Sequence, residues 1–237
     1  MMNLPFFYIS NYEDAQKQIV LDEETSRHVV QVLRMKVGEQ LNLTDGKGNL
    51  LSCVIAEEHK RHCSVEVKET RHKEQGARKV SVAISLLKNS NRFEWFLEKA
   101  TEIGVSEIIP LICERTEKEK FRLDRMQGIC ISAMLQSEQI WLPVLQEPIK
   151  FENLVMKQFD DCKKYIAHCL DEESKTQLHR EISQSANQLI CIGPEGDFTK
   201  QEIDLALQHQ FIPVGMGTNR LRTETAGVVA ATLFCHI

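Results

Sequence analysis

"KVSVAISLLKNSNRFEWFLEKATEIGV", residues 79–105, decides the fold. Its first ten residues are nearly all β-branched or apolar, the pattern of a strand buried on both faces. The remainder sets Phe93, Phe96, Leu97, Ala100 and Ile103 at helical spacing and stops at Gly104, a residue suited to the left-handed conformation that ends helices. A doubly buried strand followed at once by an amphipathic helix is the repeating piece of a parallel α/β sheet. The same alternation continues downstream. "SEIIPLIC" (106–113), "CKKYIAHCL" (162–170), "NQLICIGPEG" (187–196) and "FIPVGM" (211–216) read as strands. "RMQGICISAMLQSEQ" (125–139), "QEIDLALQHQ" (201–210) and "TETAGVVAATLFCHI" (223–237) read as helices, the second opened by a capping box from Thr199 to Glu202.

Upstream the texture differs. Runs at 41–44, 50–56 and 63–69 read as short strands, the first two joined by Asp45-Gly46-Lys47-Gly48, a hairpin signal. Before them, apolar residues at 29, 30, 32, 33 and 35 predict a short helix closing at Gly38. A helix and hairpins in so few residues suggest a small β-barrel, and the polar stretch "RHKEQGARK" (71–79) marks the boundary. The expected organisation is a barrel over residues 1–72 and an α/β domain over residues 73–237.

Bulk properties exclude several classes. At 237 residues, with 42% hydrophobic and 27% charged side chains, the composition is that of a globular protein with a proper core. The net charge of −5 excludes a protein that coats nucleic acid nonspecifically, so any polyanion must be met by a few placed arginines. No apolar run reaches membrane-spanning length, and the start, "MMNLPFFYISNYEDAQ", lacks the features of a secretory signal. The eight cysteines show no C-x-x-C pair and sit mostly in apolar runs, the signature of reduced thiols in a cytoplasmic protein without a zinc site.

Ligands of open α/β sheets gather beyond the carboxyl ends of strands, and three such ends carry unusual residues. Gly193-Pro194-Glu195-Gly196 is a rigid turn that admits a ligand close to the backbone. "GMGTNRLRTETAG" (215–227) holds Gly215, Gly217, the permanently charged Arg220 and Arg222, and Glu224 in the first turn of a helix, where the dipole alone favours a carboxylate. "HCLDEE" (168–173) says least, and His168 reads as a packed strand residue. No dinucleotide or P-loop glycine fingerprint occurs. In the N-terminal segment Arg27, His28, Arg34 and Lys36 line a short helix, suited either to phosphate contact or to plain solvation.

Taken in order and spacing, "HVVQVLRMKVGE…LTDGKG", "NRFEWFLEKATEIGVSEIIPLICERT", "IGPEGDFTKQE" and "MGTNRLRTETA" resemble the RsmE family over nearly the whole chain. These are ribosomal RNA uridine-N3 methyltransferases of the SPOUT superfamily. The resemblance implies a PUA-like barrel that binds RNA, followed by a SPOUT α/β domain with a deep trefoil knot. It implies S-adenosyl-L-methionine as cofactor and 16S ribosomal RNA of the small subunit as substrate. It also implies a cytoplasmic homodimer with a shared active site, and no metal. Carried onto this sequence, the cofactor would lie against Leu170, Gly193, Pro194, Glu195, Gly196, Gly215, Met216, Gly217, Leu221, Thr223 and Ala226. Arg222 and Glu224 would be catalytic, Arg222 stabilising charge and Glu224 orienting an arginine or accepting a proton; Arg27, Arg34 and Arg220 would contact RNA. Two departures stand out. Asp197 replaces the glycine that usually follows "GPEG", and Leu135 and Gln139 replace charged residues around Gln136 and Ser137. Alternative readings are a SPOUT enzyme for another RNA, or a non-catalytic assembly factor, which the intact glycine loops disfavour.

Overall fold

A computed structural model describes residues 4–170, 175–182 and 187–236. They form two compact units, one of residues 4–75 with 134–142, the other of residues 76–133 with 143–236.

The first unit is a curled five-stranded sheet. Its elements are β1 (Phe6–Tyr8), β2 (Gln18–Val20), α1 (Glu23–Arg27), β3 (Gln40–Thr44), β4 (Asn49–Glu57) and β5 (Ser64–His72), with strand order β1-β3-β4-β5-β2. Alternating residues of the strands, among them Leu41, Leu43, Leu51, Cys53 and Ile55, fill its interior. Register shifts within the β4–β5 pair curl the sheet, as bulges do. The hairpin turn is built as its composition suggests: Gly46 and Gly48 take positive φ, and Asp45 accepts from the Lys47 N–H at 2.8 Å. The tightness of the turn has a further cause. A Cβ on Gly48 would lie 2.6 Å from Trp141 Cζ2 and from the Lys73 carbonyl, and one on Gly46 would lie 2.9 Å from Leu142. Residues 140–142 seat on the turn, with the Trp141 indole donating to the Lys73 carbonyl at 2.9 Å.

One local expectation changes. The predicted helix does not run to Gly38: α1 passes into a π-helical turn at His28–Val32, and Arg34 adopts φ +56°. The Leu33 N–H reaches back five residues to the His28 carbonyl at 2.9 Å, and this wide turn does not propagate. Gly38, with φ +90°, instead donates to the Ile55 carbonyl of β4.

The second unit contains β6 (Val80–Ser85), α2 (Ser90–Ile103), β7 (Glu107–Ile112), α3 (Leu123–Gln136, whose last turn belongs to the first unit), β8 (Val144–Leu145), β9 (Ile149–Lys150), α4 (Phe151–Val155), β10 (Cys162–Ala167), β11 (Thr176–Gln177), α5 (Leu178–Glu181), β12 (Asn187–Ile192), α6 (Lys200–Gln208), β13 (Ile212–Gly215) and α7 (Thr223–His236). The strands form a sheet in the order β11-β13-β10-β12-β6-β7-β8, with β9 also on β7, and every pair is parallel. Helices cover both faces, which is why β6 and β12 are buried on both sides. Ala83, Leu189 and Cys191 face α4 and α6, where Phe151 and Phe198 pack with ring centroids 4.8 Å apart. The alternate residues face α2 and α7, where Tyr165 meets Phe234 at 5.5 Å. Gly104 ends α2 at φ +96°, and both arms of the Thr199–Glu202 capping box are formed.

Candidate functional site

A cleft of about 450 Å³ opens beyond the carboxyl ends of β10, β12 and β13, within the range of roughly 300–1,000 Å³ usual for small-molecule sites. The motifs picked out in the sequence converge there. Gly193, Pro194 and Glu195 enter from the end of β12; Gly215, Met216, Gly217, Arg220, Leu221 and Arg222 from the end of β13; Thr223 and Ala226 from the start of α7. Leu170 and Gly196 flank the cleft in sequence without lining it, and Leu170 is 45% exposed. Residues 171–173 of "HCLDEE" lie outside the described residues. Arg27 and Arg34 are exposed on the first unit, and Arg27 is paired with Glu23 at 2.9 Å.

Other lining residues are not marked as site residues by the sequence. His168 is a packed residue, as expected, 5% exposed at the end of β10, yet it also forms part of the wall. Cys169, Lys175 and Asp197 join it, and Arg92 arrives from α2, far upstream of every other lining residue. Arg92 stands in the "NRFEW" motif, but nothing local to that motif tells which strand ends α2 will meet.

The cleft is held by a short strap. The Gln177 side chain of β11 accepts from the Gly217 N–H at 2.9 Å, and Lys175 Nζ donates to the carbonyls of Leu170 at 2.8 Å and His168 at 3.2 Å. The glycines serve distinct needs. Gly217 has φ +110° with open space around it, so its requirement is conformational. Gly193 and Gly215 are steric: a Cβ on the first would come within 3.0 Å of the Phe198 ring, and one on the second 3.2 Å from Gln177 Nε2. Asp197 takes φ +64°, the left-handed conformation for which glycine is best suited.

Two carboxylates of the second unit are buried, and their surroundings separate them. Glu202 accepts from the Thr199 N–H and hydroxyl and from the Glu114 N–H at 2.9 Å, so its work is structural. Glu224 lies in a side recess with Asn91, Arg92, Trp95, Arg222 and Thr225. One oxygen stands 3.7 Å from Arg92 Nε, and the other, Oε2, is buried without a hydrogen-bond partner among the described residues. The arginine that Glu224 contacts is therefore Arg92. Among the thiols, Cys169 is the exposed one in the cleft. Burial, followed by the Asp197 carboxylate, pushes its pKa up, while Arg220 and Lys175 pull the other way. Among the described residues no cluster of three metal-ligating side chains occurs, and no helix is long and apolar enough to cross a membrane.

A family model described as an RNA methyltransferase domain matches residues 74–235, and one described as an RNA methyltransferase PUA domain matches residues 21–68. A protein of Synechocystis sp. named ribosomal RNA small subunit methyltransferase E is 30% identical over 218 residues, spanning 90% of this chain and 71% of that protein. The chain belongs to the ribosomal RNA small subunit methyltransferase E family. The probable rRNA-methyltransferase of Porphyromonas gingivalis superposes with a TM-score of 0.88 at 35% identity, covering 96% of this chain and 95% of that one. The ribosomal RNA small subunit methyltransferase E of Neisseria gonorrhoeae, solved bound to S-adenosyl methionine, superposes with a TM-score of 0.86 at 28% identity, covering 97% and 95%. In this methyltransferase, then, the PUA match falls on the curled five-stranded sheet, and the methyltransferase match spans the parallel sheet and its cleft.

Proposed function

We propose that the chain transfers a methyl group from S-adenosyl-L-methionine to N3 of a uridine in 16S ribosomal RNA of the small subunit. The observation that carries this is the convergence of the β12 and β13 glycine turns with Arg222 on one cleft, in a chain whose family includes a relative holding that cofactor.

The residues present fit the cofactor. Ile192, Val214, Leu221 and Ala226 offer apolar wall for a planar adenine, and the steric glycines let the backbone approach a ribose. When bound, S-adenosylmethionine supplies an electrophilic methyl on its sulfonium. The remaining work is positioning and charge stabilisation. N3 of uridine lies between two carbonyls and is engaged in pairing within a duplex, so the base must be presented unpaired. Arg222, exposed at the start of α7, stabilises the negative charge that develops on the uracil carbonyls as the N3 proton passes to solvent water. Glu224 holds Arg92 beside it, and Arg220 meets phosphate. Arg27 and Arg34 supply phosphate contacts from the barrel of residues 1–72, which residues 134–142 join, while the rest of residues 73–237 forms the catalytic SPOUT domain. The placement of β13 beside β10 rather than beside β12, with the strap of residues 175–177 against it, supports the trefoil-knot reading. The largely apolar composition of α7, with Val228, Val229 and Leu233 only half-buried, supports a homodimer.

Mass spectrometry of 16S ribosomal RNA from cells with and without the protein tests the assignment. Loss of one N3-methyluridine, restored by the gene, is the expected result; unchanged uridine methylation overturns it. A simpler check uses Cys169. S-adenosylmethionine is expected to slow alkylation of Cys169 by N-ethylmaleimide at pH 8 at least tenfold, followed by peptide mass mapping. Labelling of Cys162, which lies outside the cleft lining, should not change.

A further inference from the structure

The residue that breaks the family's glycine pattern has acquired contacts of its own. Asp197 follows β12 and closes the turn through its N–H, which donates to the Pro194 carbonyl at 2.9 Å. One carboxylate oxygen accepts from the next residue, Phe198 N–H, at 2.8 Å. The other accepts from the Cys169 N–H at 2.7 Å, and Cys169 lies beyond the end of the neighbouring strand β10. The two ends of this bridge differ in rigidity. Phe198 is 2% exposed and packed on Phe151, and the capping box of α6 follows at once, so the β12 side is anchored in the core. On the β10 side His168 is buried, but the next two residues, Cys169 and Leu170, are exposed and have no such anchor. Their backbone is held instead by side chains of opposite charge, Asp197 on the Cys169 N–H and Lys175 on the His168 and Leu170 carbonyls. Both are charge-assisted hydrogen bonds, the stronger kind.

We propose that Asp197 is a positioning residue for the cofactor: with Lys175 it clamps the backbone of residues 168–170 as a fixed wall of the cleft, so that binding does not have to order that wall. A wall ordered beforehand raises affinity by reducing the entropy lost on binding. The left-handed backbone at residue 197 is tolerated by aspartate, as it is by few side chains other than glycine and asparagine, so the carboxylate is gained without losing the turn. The inference rests on the assignment of the cleft to S-adenosylmethionine.

Two substitutions separate this role from a conformational one. If residue 197 mattered only for its φ, Asp197→Gly would bind S-adenosylmethionine as well as the wild type or better, since glycine suits the left-handed region best. The clamp gives the opposite result. Titration calorimetry should show the dissociation constant of Asp197→Gly rising about tenfold, about 1.4 kcal/mol, with KM for the cofactor rising in step and kcat at saturation changing less. Asp197→Asn, which keeps one acceptor and tolerates the same backbone, should fall between the two. Without cofactor, amide hydrogen exchange of the Cys169 N–H, which donates to Asp197, should be several-fold faster in Asp197→Gly than in the wild type, while the melting temperature moves little. Wild-type affinity in Asp197→Gly, or unchanged exchange at Cys169, overturns the clamp. Absence of any binding heat in the wild type overturns the cofactor assignment instead, and the exchange rates alone then decide whether Asp197 holds residues 168–170.

Discussion

Arg222→Ala is expected to lower kcat by about 10²–10³-fold, the usual cost of removing one preorganised donor from developing negative charge. The dissociation constant for S-adenosylmethionine should stay within about threefold of wild type, since the glycine turns and apolar walls remain. Stability should hardly change either. The Arg222 side chain is exposed and forms no hydrogen bond or ion pair among the described residues; only its carbonyl is used, accepting from the Ala226 N–H at 2.8 Å in the first turn of α7. A side chain positioned at a cleft and not used by the fold is the pattern of a functional group. Single-turnover methylation of ribosomal RNA, paired with calorimetric titration of the cofactor, reads both quantities. Turnover within about fivefold of wild type would remove Arg222 from the reaction.

The second large effect is on folding. Gly227 sits inside α7, where glycine costs roughly 1 kcal/mol of helix propensity relative to alanine, so its presence needs a steric reason. A Cβ there would lie 2.5 Å from Phe96 Cε2, 2.7 Å from Phe96 Cδ2 and 2.9 Å from Ile84 Cδ1. Phe96 and Ile84 are fully buried, so the ring has little room to retreat. Gly227→Val adds three carbons at this contact between α2, α7 and the sheet, and should destabilise the protein by about 3 kcal/mol, at the upper end of the overpacking range. Against a typical total of about 5–15 kcal/mol, that loss would show as a clear fall in the denaturant midpoint. Gly227→Ala should cost less, because the propensity gain offsets part of the clash. A valine variant with an unchanged midpoint would mean that α7 does not pack on Phe96 as described.

Different parts of the molecule were legible for different reasons. The strand at 80–85 and the helix that follows could be read because burial on both faces and one-sided burial leave different periodicities in the chain. The end of α2 at Gly104 and the start of α6 at Thr199 rest on interactions within one turn, and were equally plain. The helix expected to reach Gly38 was misjudged because its apolar spacing fits an α-helix, whereas the chain takes a π turn and then a left-handed Arg34, neither of which side-chain periodicity encodes. Glycine content marked the turns at 193–196 and 215–217 but did not separate the conformational need at Gly217 from the steric need at Gly193, since the neighbour that crowds Gly193 is the Phe198 ring. Asp197 illustrates the same limit. From the sequence it is a departure from glycine at a sensitive turn; in the fold it keeps the backbone angle and reaches the Cys169 N–H of a loop 28 residues away.

By itself the sequence determined the longer strands and helices, though not short elements such as β1, β2, β8, β9 and α4, together with the presence of two regions of different character and the two glycine-rich turns that resemble those of one methyltransferase family. These follow from local rules, in which a residue's neighbours in the chain set its conformation. Only the tertiary structure decided that β13 lies next to β10 rather than β12, so that residues 215–223 meet residues 167–169, 192–195 and 197 around a single cleft. It alone brought Arg92 to that cleft from α2 and placed it against Glu224. The physical reason is that strand order and helix placement are chosen by which faces bury best against one another, a competition among distant segments that no short stretch of sequence records.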